Sequence, residues 1–212
     1  MSAARKHLPA WLLASLLGLL LALTGCNGDS APEYALSEID GKMPDLQFRL
    51  PDARGETRTA QDFQGKTVLM FFGYTHCPDV CPMTLSRIRR AVGNLDAENA
   101  QRVRVLFVSV DPRRDTPEAI RSYVDGFDMP QLVGLRGKGS GFEALKERYH
   151  LYVNRHREGP EDQEYEVDHS GQVYIFGPQG EARLMARLSG KQPDSVDTLT
   201  TDLRKLLNHT AG

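Results

Sequence analysis

The stretch TVLMFFGYTHCPDVCP, residues 67–82, runs from continuous apolar text into two cysteines four positions apart. Thr67 to Phe72 has the length of a buried strand and no polar residue after its first. Beyond Pro82, the apolar positions Leu85, Ile88, Val92 and Leu95 recur at steps of three, four and three, which is one face of a helix. The helix therefore begins inside the cysteine motif. Cys77 is expected at the C-terminal end of the strand and Cys81 in the first turn of the helix.

Outward from this unit the pattern repeats. Val103 to Val110 is a second valine-rich strand, and Thr116-Pro117-Glu118 opens another helix with a cap residue and a proline in its first turn. Gln131 to Leu135 reads as a short strand and Phe142 to Tyr149 as a helix. Asn154 to Glu166 is charged and irregular, a surface insertion or hairpin. Gln172 to Phe176 and Ala182 to Leu188, joined by Gly177-Pro178-Gln179-Gly180, form a predicted antiparallel hairpin. Val196, Leu199, Leu203 and Leu206 mark a terminal helix. Ahead of the quoted stretch, Leu46–Leu50 and Glu56–Thr59 flank an Asp52–Gly55 turn and read as a small hairpin. This is the order of an α/β, thioredoxin-like fold with an N-terminal β-hairpin extension. No internal repeat or second domain is visible.

On a helix, residues four apart share a face, so both sulfurs are expected to point at one spot. The unpaired N–H groups and positive dipole end of a helix N-terminus are expected to lower both thiol pKa values. Pro78 and Pro82 restrict the backbone around the pair. Such thiols can close a disulfide or hold a soft metal: thiolates suit Cu(I), and an added imidazole suits Cu(II) and Zn(II). A structural zinc site normally takes four protein ligands, and the chain has no second cysteine pair and no HxxxH, so zinc is the weaker metal. A redox pair, a metal site, or both remain open on the residues alone.

Six histidines are available for a third ligand. His150, His156 and His209 lie in polar surroundings and read as solvated. His76 adjoins Cys77 but is expected to point away from it at a strand end. His169, in Val167-Asp168-His169-Ser170, precedes a buried strand, and the fold order brings its loop beside the first cysteine helix. Asp79 reads as a helix cap, and Asp168 as either an acceptor orienting His169 or a turn residue. Asp111, Arg114 and Asp115 are expected to organise a strand-to-helix loop without binding metal. Met70 and Met83 read as core packing. Gly137–Ser140 fails the phosphate-loop pattern, because Gly139 follows Lys138.

The front of the chain carries Arg5-Lys6, an apolar run from Trp11 to Leu23, then Thr24-Gly25-Cys26. That is an export signal over residues 1–25, and the apolar run falls short of the roughly 20 residues a bilayer span needs. Leu23–Cys26 looks like the lipobox of bacterial lipoproteins, with cleavage before Cys26 leaving a lipidated N-terminus; an uncleaved anchor is the alternative. Residues 26–44 then read as a lipidated tether and 45–210 as the folded domain. His7 leaves with the signal. Removing Arg5 and Lys6 leaves 24 basic against 28 acidic residues, so the formal net charge moves from −2 to −4 and nothing invites nucleic acid. The mature domain keeps only Cys77 and Cys81, outside the cytoplasm.

Taken together, GYTHCPDVCP (73–82), SVDP with RDTPE (109–118) and VDHS (167–170) closely resemble the SCO/SenC family, over roughly residues 40 to 208. The resemblance implies a thioredoxin-like protein that delivers copper to the binuclear copper site of cytochrome c oxidase. It implies Cu(I) or Cu(II) held by Cys77, Cys81 and His169, and a copper-receiving subunit of a terminal oxidase as partner. The expected setting is the bacterial cell envelope, lipid-anchored through Cys26 with the domain facing the periplasm. The alternative is a thiol-disulfide reductase in which Cys77 attacks and Cys81 resolves.

Overall fold

Phe71 and Phe72 are adjacent in the chain, and both are fully buried. Side chains alternate across a strand, so a strand that buries both must be covered on both faces. The computed structural model describes residues 32–157, 165–169 and 171–210, with the side chains of 154–157 and 165–169 outside that description. The signal, the lipobox and Cys26 lie outside the described residues.

A six-stranded sheet has the order β1-β10-β9-β4-β5-β6. The strands are β1 (Ser37–Glu38), β4 (Thr67–Gly73), β5 (Val103–Ser109), β6 (Leu132–Arg136), β9 (Gln172–Phe176) and β10 (Ala182–Arg187). β4, β5 and β6 run parallel, while β9 is antiparallel to β4 and to β10. Parallel neighbours need crossovers, and helices supply them. The helices are α1 (Val80–Gly93) and the short α2 (Ala97–Gln101) between β4 and β5, then α3 (Pro117–Asp125), α4 (Ser140–Arg148) and α5 (Val196–His209).

One face of the sheet, with Leu69, Phe71, Val105 and Phe107, packs against Leu85 and Ile88 of α1, Ile120 of α3, and Leu199 and Leu203 of α5. The other face, with Met70, Phe72, Leu106 and Val108, packs against Phe142 and Leu145 of α4 and against Phe48, Leu50 and Phe63 from the N-terminal region. Each fully buried Leu or Phe contributes about 1.5–3 kcal/mol. The expected α/β layering is therefore present.

The predicted hairpin is shorter than its sequence run: β2 (Arg49–Pro51) pairs with β3 (Thr57–Thr59). Pro51 has no N–H to extend the ladder, and Asp52 turns the chain by accepting from Arg54 N–H at 2.8 Å and Glu56 N–H at 3.0 Å. Gly55, at φ 84°, supplies the left-handed position in that turn. The charged stretch after Tyr152 takes the hairpin form, with β7 (Val153–Arg157) antiparallel to β8 (Tyr165–His169).

Residues ahead of 45 also pair with the sheet. β1, inside the predicted tether, joins the sheet edge opposite Leu184 and Met185. Asp202, fully buried on α5, receives the N–H groups of Ala35 at 2.8 Å and Leu36 at 2.7 Å. No local periodicity announces a two-residue strand whose anchor lies more than 160 positions away. Replacing Asp202 with Ala should cost about 1–3 kcal/mol in chemical denaturation and speed amide exchange at Ala35, Leu36 and β1. An unchanged exchange rate there would refute the pinning role.

Candidate metal centre

β4 delivers the chain to the C-terminal edge of the sheet. Its last residue, Gly73, stands opposite Ser109 of β5, and its carbonyl accepts from Val110 N–H at 2.8 Å. The chain then turns, with Cys77 N–H donating to Tyr74 O at 3.2 Å, before α1 opens at Val80. Pro82 occupies the first turn, where helix N–H groups have no partner within the helix.

Cys77 therefore sits in the loop after the strand, four residues beyond its end and outside the helix. The two sulfurs still converge, for a different reason than a shared helical face. Asp79 stands at the N-cap position but makes no side-chain cap bond, its backbone lying at φ −138°, ψ −63°. Cys77 Sγ faces the helix start instead, accepting from Cys81 N–H at 3.4 Å. A sulfur takes the place that a capping oxygen usually holds. Cys77 is half-buried and packs against the apolar clusters on both faces of the sheet, whereas Cys81 is fully buried.

The expected lowering of both thiol pKa values does not hold for Cys81. Its hydrogen bond with Cys77, then burial, then the Cys77 charge push it far above the ordinary thiol range; a backbone bond from Tyr74 only partly offsets them. A helix dipole cannot overcome a second sulfur at contact distance in a dry site. The protons of such a pair are displaced together by a cation that neutralises both sulfurs.

Two carboxylates tie the cysteine loop to its neighbour. Asp115 is fully buried and accepts from Ser109 Oγ at 2.5 Å, Thr75 Oγ1 at 2.6 Å and Thr75 N–H at 3.1 Å. Asp111, also buried, accepts from Arg114 Nε at 2.6 Å, and the Arg114 guanidinium lies over the Tyr74 ring, 5.5 Å from its centroid. Asp111, Arg114 and Asp115 thus organise the loop as expected.

Other predicted residues fall into place beside this frame. Met70 is fully buried in the core, and Met83 is half-buried on α1. His76 is exposed on the rim. His169 closes β8, opposite Val153 of β7, so it ends a strand; its side chain, with that of Asp168, is outside the described residues. Among the described residues, no group of three or more His, Cys, Asp or Glu side chains clusters as a metal site.

Sequence reasoning passed over Gly73 and Tyr123. A Cβ on Gly73 would stand 2.8 Å from Cys81 Sγ and 2.8 Å from Phe107 Cε2, so the Cys81 sulfur occupies the space of the missing side chain. A glycine closing an apolar strand was the available signal. Tyr123, on α3, stacks near Phe107 with ring centroids 5.1 Å apart. Its hydroxyl is buried with no hydrogen-bond partner among the described residues. Burial first, then the charges of Cys81 and Cys77, raise its pKa. Two sulfurs in contact, one of them dry, are a donor set that fits a soft cation such as Cu(I).

Comparisons with known proteins agree with that chemistry. A family model described as SCO1/SenC matches residues 38–208. The human protein named SCO2 homolog, mitochondrial, is 43% identical over 136 residues, covering 63% of this chain and 50% of its own length. The chain spans about half the length of the curated relatives it matches. ScoI of Bradyrhizobium japonicum, solved with copper bound, is 32% identical with a TM-score of 0.63, over 76% of this chain and 98% of that one. Arabidopsis thaliana ScoI, also solved with copper bound, is 32% identical with a TM-score of 0.66, over 77% and 98%. These neighbours share the thioredoxin-like architecture.

Two outcomes are expected from the geometry. Iodoacetamide should modify Cys77 well before Cys81 in the reduced, metal-free chain, read by mass spectrometry, because Cys81 is both inaccessible and held as the thiol; equal rates would contradict the described burial. Gly73→Ala should cost about 1–3 kcal/mol through overpacking and bring Cys81 alkylation closer to the Cys77 rate, since the sulfur must move.

Proposed function

Because the chain belongs to the SCO1/SenC family, we propose that it is a copper-binding protein of cytochrome c oxidase assembly, delivering copper to the oxidase's binuclear copper site. The single observation that carries this reading is the contact between the Cys77 and Cys81 sulfurs at a helix start, one half-buried and one fully buried. Copper-bound relatives of the same fold support the choice of metal.

On this reading Cys77 and Cys81 bind Cu(I) as thiolates and His169 completes a three-coordinate set, with Cu(II) held by the same residues. Binding releases the thiol protons, including the one Cys81 holds so firmly. A three-ligand site leaves room for a recipient's thiolates to enter, so copper passes by ligand exchange. Oxidation of the pair to a disulfide removes two electrons and two protons and takes away both thiolate ligands, which gates loading by redox state. A lipid on Cys26 would confine the domain to a membrane surface, facing the periplasm, where an oxidase subunit is assembled.

The accessibility difference between the sulfurs favours one second reading. A half-buried Cys77 backed by a buried Cys81 is also the arrangement of an attacking and a resolving thiol, as in a reductase that keeps a recipient's cysteines reduced. His169 separates the two, because disulfide exchange has no need of an imidazole and a three-coordinate copper site does.

Titrating the reduced full chain with Cu(I), beside His169→Ala, tests both. Stoichiometric binding by the parent is expected. Outer-shell changes already cost about 10–100-fold in metal affinity, so the variant should lose at least that much while exchanging disulfides at the parental rate. If the two bind copper equally and both reduce disulfides, the delivery reading fails and the pair is a reductase centre.

A further inference from the structure

Thr75 is gripped at two points by a single side chain from another loop. Its hydroxyl donates to Asp115 Oδ1 at 2.6 Å, and its amide N–H donates to Asp115 Oδ2 at 3.1 Å. Ser109 Oγ donates to the same Oδ2 at 2.5 Å and accepts from Asp111 N–H at 3.2 Å. The Asp115 N–H donates to Asp111 O at 2.9 Å, which ties the residue to its own loop. The carboxyl group therefore cannot turn without breaking a bond to β5 or to Thr75. Ser109, Asp111 and Asp115 are all fully buried, and a hydrogen bond lost in a dry place is not replaced by water.

Thr75 is also the second residue of the turn that ends at Cys77. Cys77 N–H closes that turn on Tyr74 O at 3.2 Å, and Cys77 Sγ accepts from Cys81 N–H at 3.4 Å. A chain of hydrogen bonds thus runs from β5 through Asp115, Thr75 and the turn to the start of α1. Asp79 adds no side-chain cap bond from the far side. Holding Thr75 by amide and side chain together fixes one of the two central residues of the turn, and with it the direction in which the chain arrives at Cys77.

We propose that Asp115 is a positioning residue for copper that acts through Thr75, an inference that rests on the copper reading above. It sets Cys77 in place before the metal arrives, so binding does not have to order the loop. Its influence passes through the turn and not through ligation. Coupling of this kind is reciprocal. If the closed clamp favours copper, bound copper favours the closed clamp by the same factor. A carboxyl group with only a structural role would lower stability when removed and leave copper affinity alone.

The test is competition for Cu(I) between bathocuproine disulfonate and the reduced full-length chain, together with amide exchange in the presence and absence of copper. Asp115→Ala should weaken Cu(I) binding by about tenfold, the low end of what outer-shell losses cost. Thr75→Val should lose a smaller factor, because the amide bond remains, and Thr75→Ser should bind as the parent does. Adding Thr75→Val to Asp115→Ala should cost nothing further, since both changes open one clamp. Asp202→Ala removes an equally buried carboxyl group from α5; it should lower stability and leave affinity unchanged. In the parent, copper should slow exchange of the Thr75 amide by about the same tenfold and leave Ala35 and Leu36 as they were. Variants at Asp115 and Thr75 that bind as tightly as the parent, a Thr75 amide indifferent to copper, or an equal loss of affinity in Asp202→Ala would overturn the inference with the copper reading intact. A parent that binds no Cu(I) overturns both. If Asp115→Ala does not fold, Thr75→Val and the exchange measurement decide the matter.

Discussion

The buried carboxylate of Asp115 is the constraint on which the site depends. It lies at the end of two parallel strands, where the chain leaves β4 and β5 for separate loops, and it takes hydrogen bonds from both. A buried polar group with no solvent must be satisfied by the protein around it. The Ser109 and Thr75 hydroxyls and the Thr75 amide meet that demand, and in doing so they hold the cysteine loop against the loop that starts α3. Sulfur geometry, the placement of Tyr74 under Arg114 and the orientation of His76 all follow from this one anchored loop.

Much of the fold was legible because burial leaves a mark on neighbouring residues. Thr67 to Phe72 reads as a strand since nothing polar can survive between two packed layers, and Leu85, Ile88 and Val92 repeat because α1 shows the sheet one face. Thr116 and Pro117 announce α3 through local chemistry, and the Thr116 hydroxyl does accept from Ala119 N–H at 3.2 Å. Leu95 kept the helical rhythm past the end of α1 at Gly93, because the following turn still packs into the same cluster. β1 was not legible: two exposed residues are placed by pairing with β10 and by Asp202, and neither leaves a local trace.

At the site, residue identity was readable and electrostatics were not. Cys77 and Cys81 announce themselves by spacing, yet the environment that raises the Cys81 pKa comes from the second sulfur and from burial, which spacing cannot express. Asp79 looked like a cap by type and position; its backbone angles carry it away from that role, and Cys77 Sγ meets the helix end instead. Gly73 and Tyr123 matter through atoms that approach from other elements.

The pinning of Ala35 and Leu36 by Asp202 also defines a mechanical path. A pull on the chain ahead of Tyr34 reaches α5 and the outer edge of the sheet first, through two hydrogen bonds and the short β1 ladder. β10 and β9 separate that edge from β4, the strand that carries the cysteine loop. Tension from the N-terminal side would peel β1 before it strained the sulfur pair, so the domain can yield at its edge while the geometry at Cys77 and Cys81 stays undisturbed.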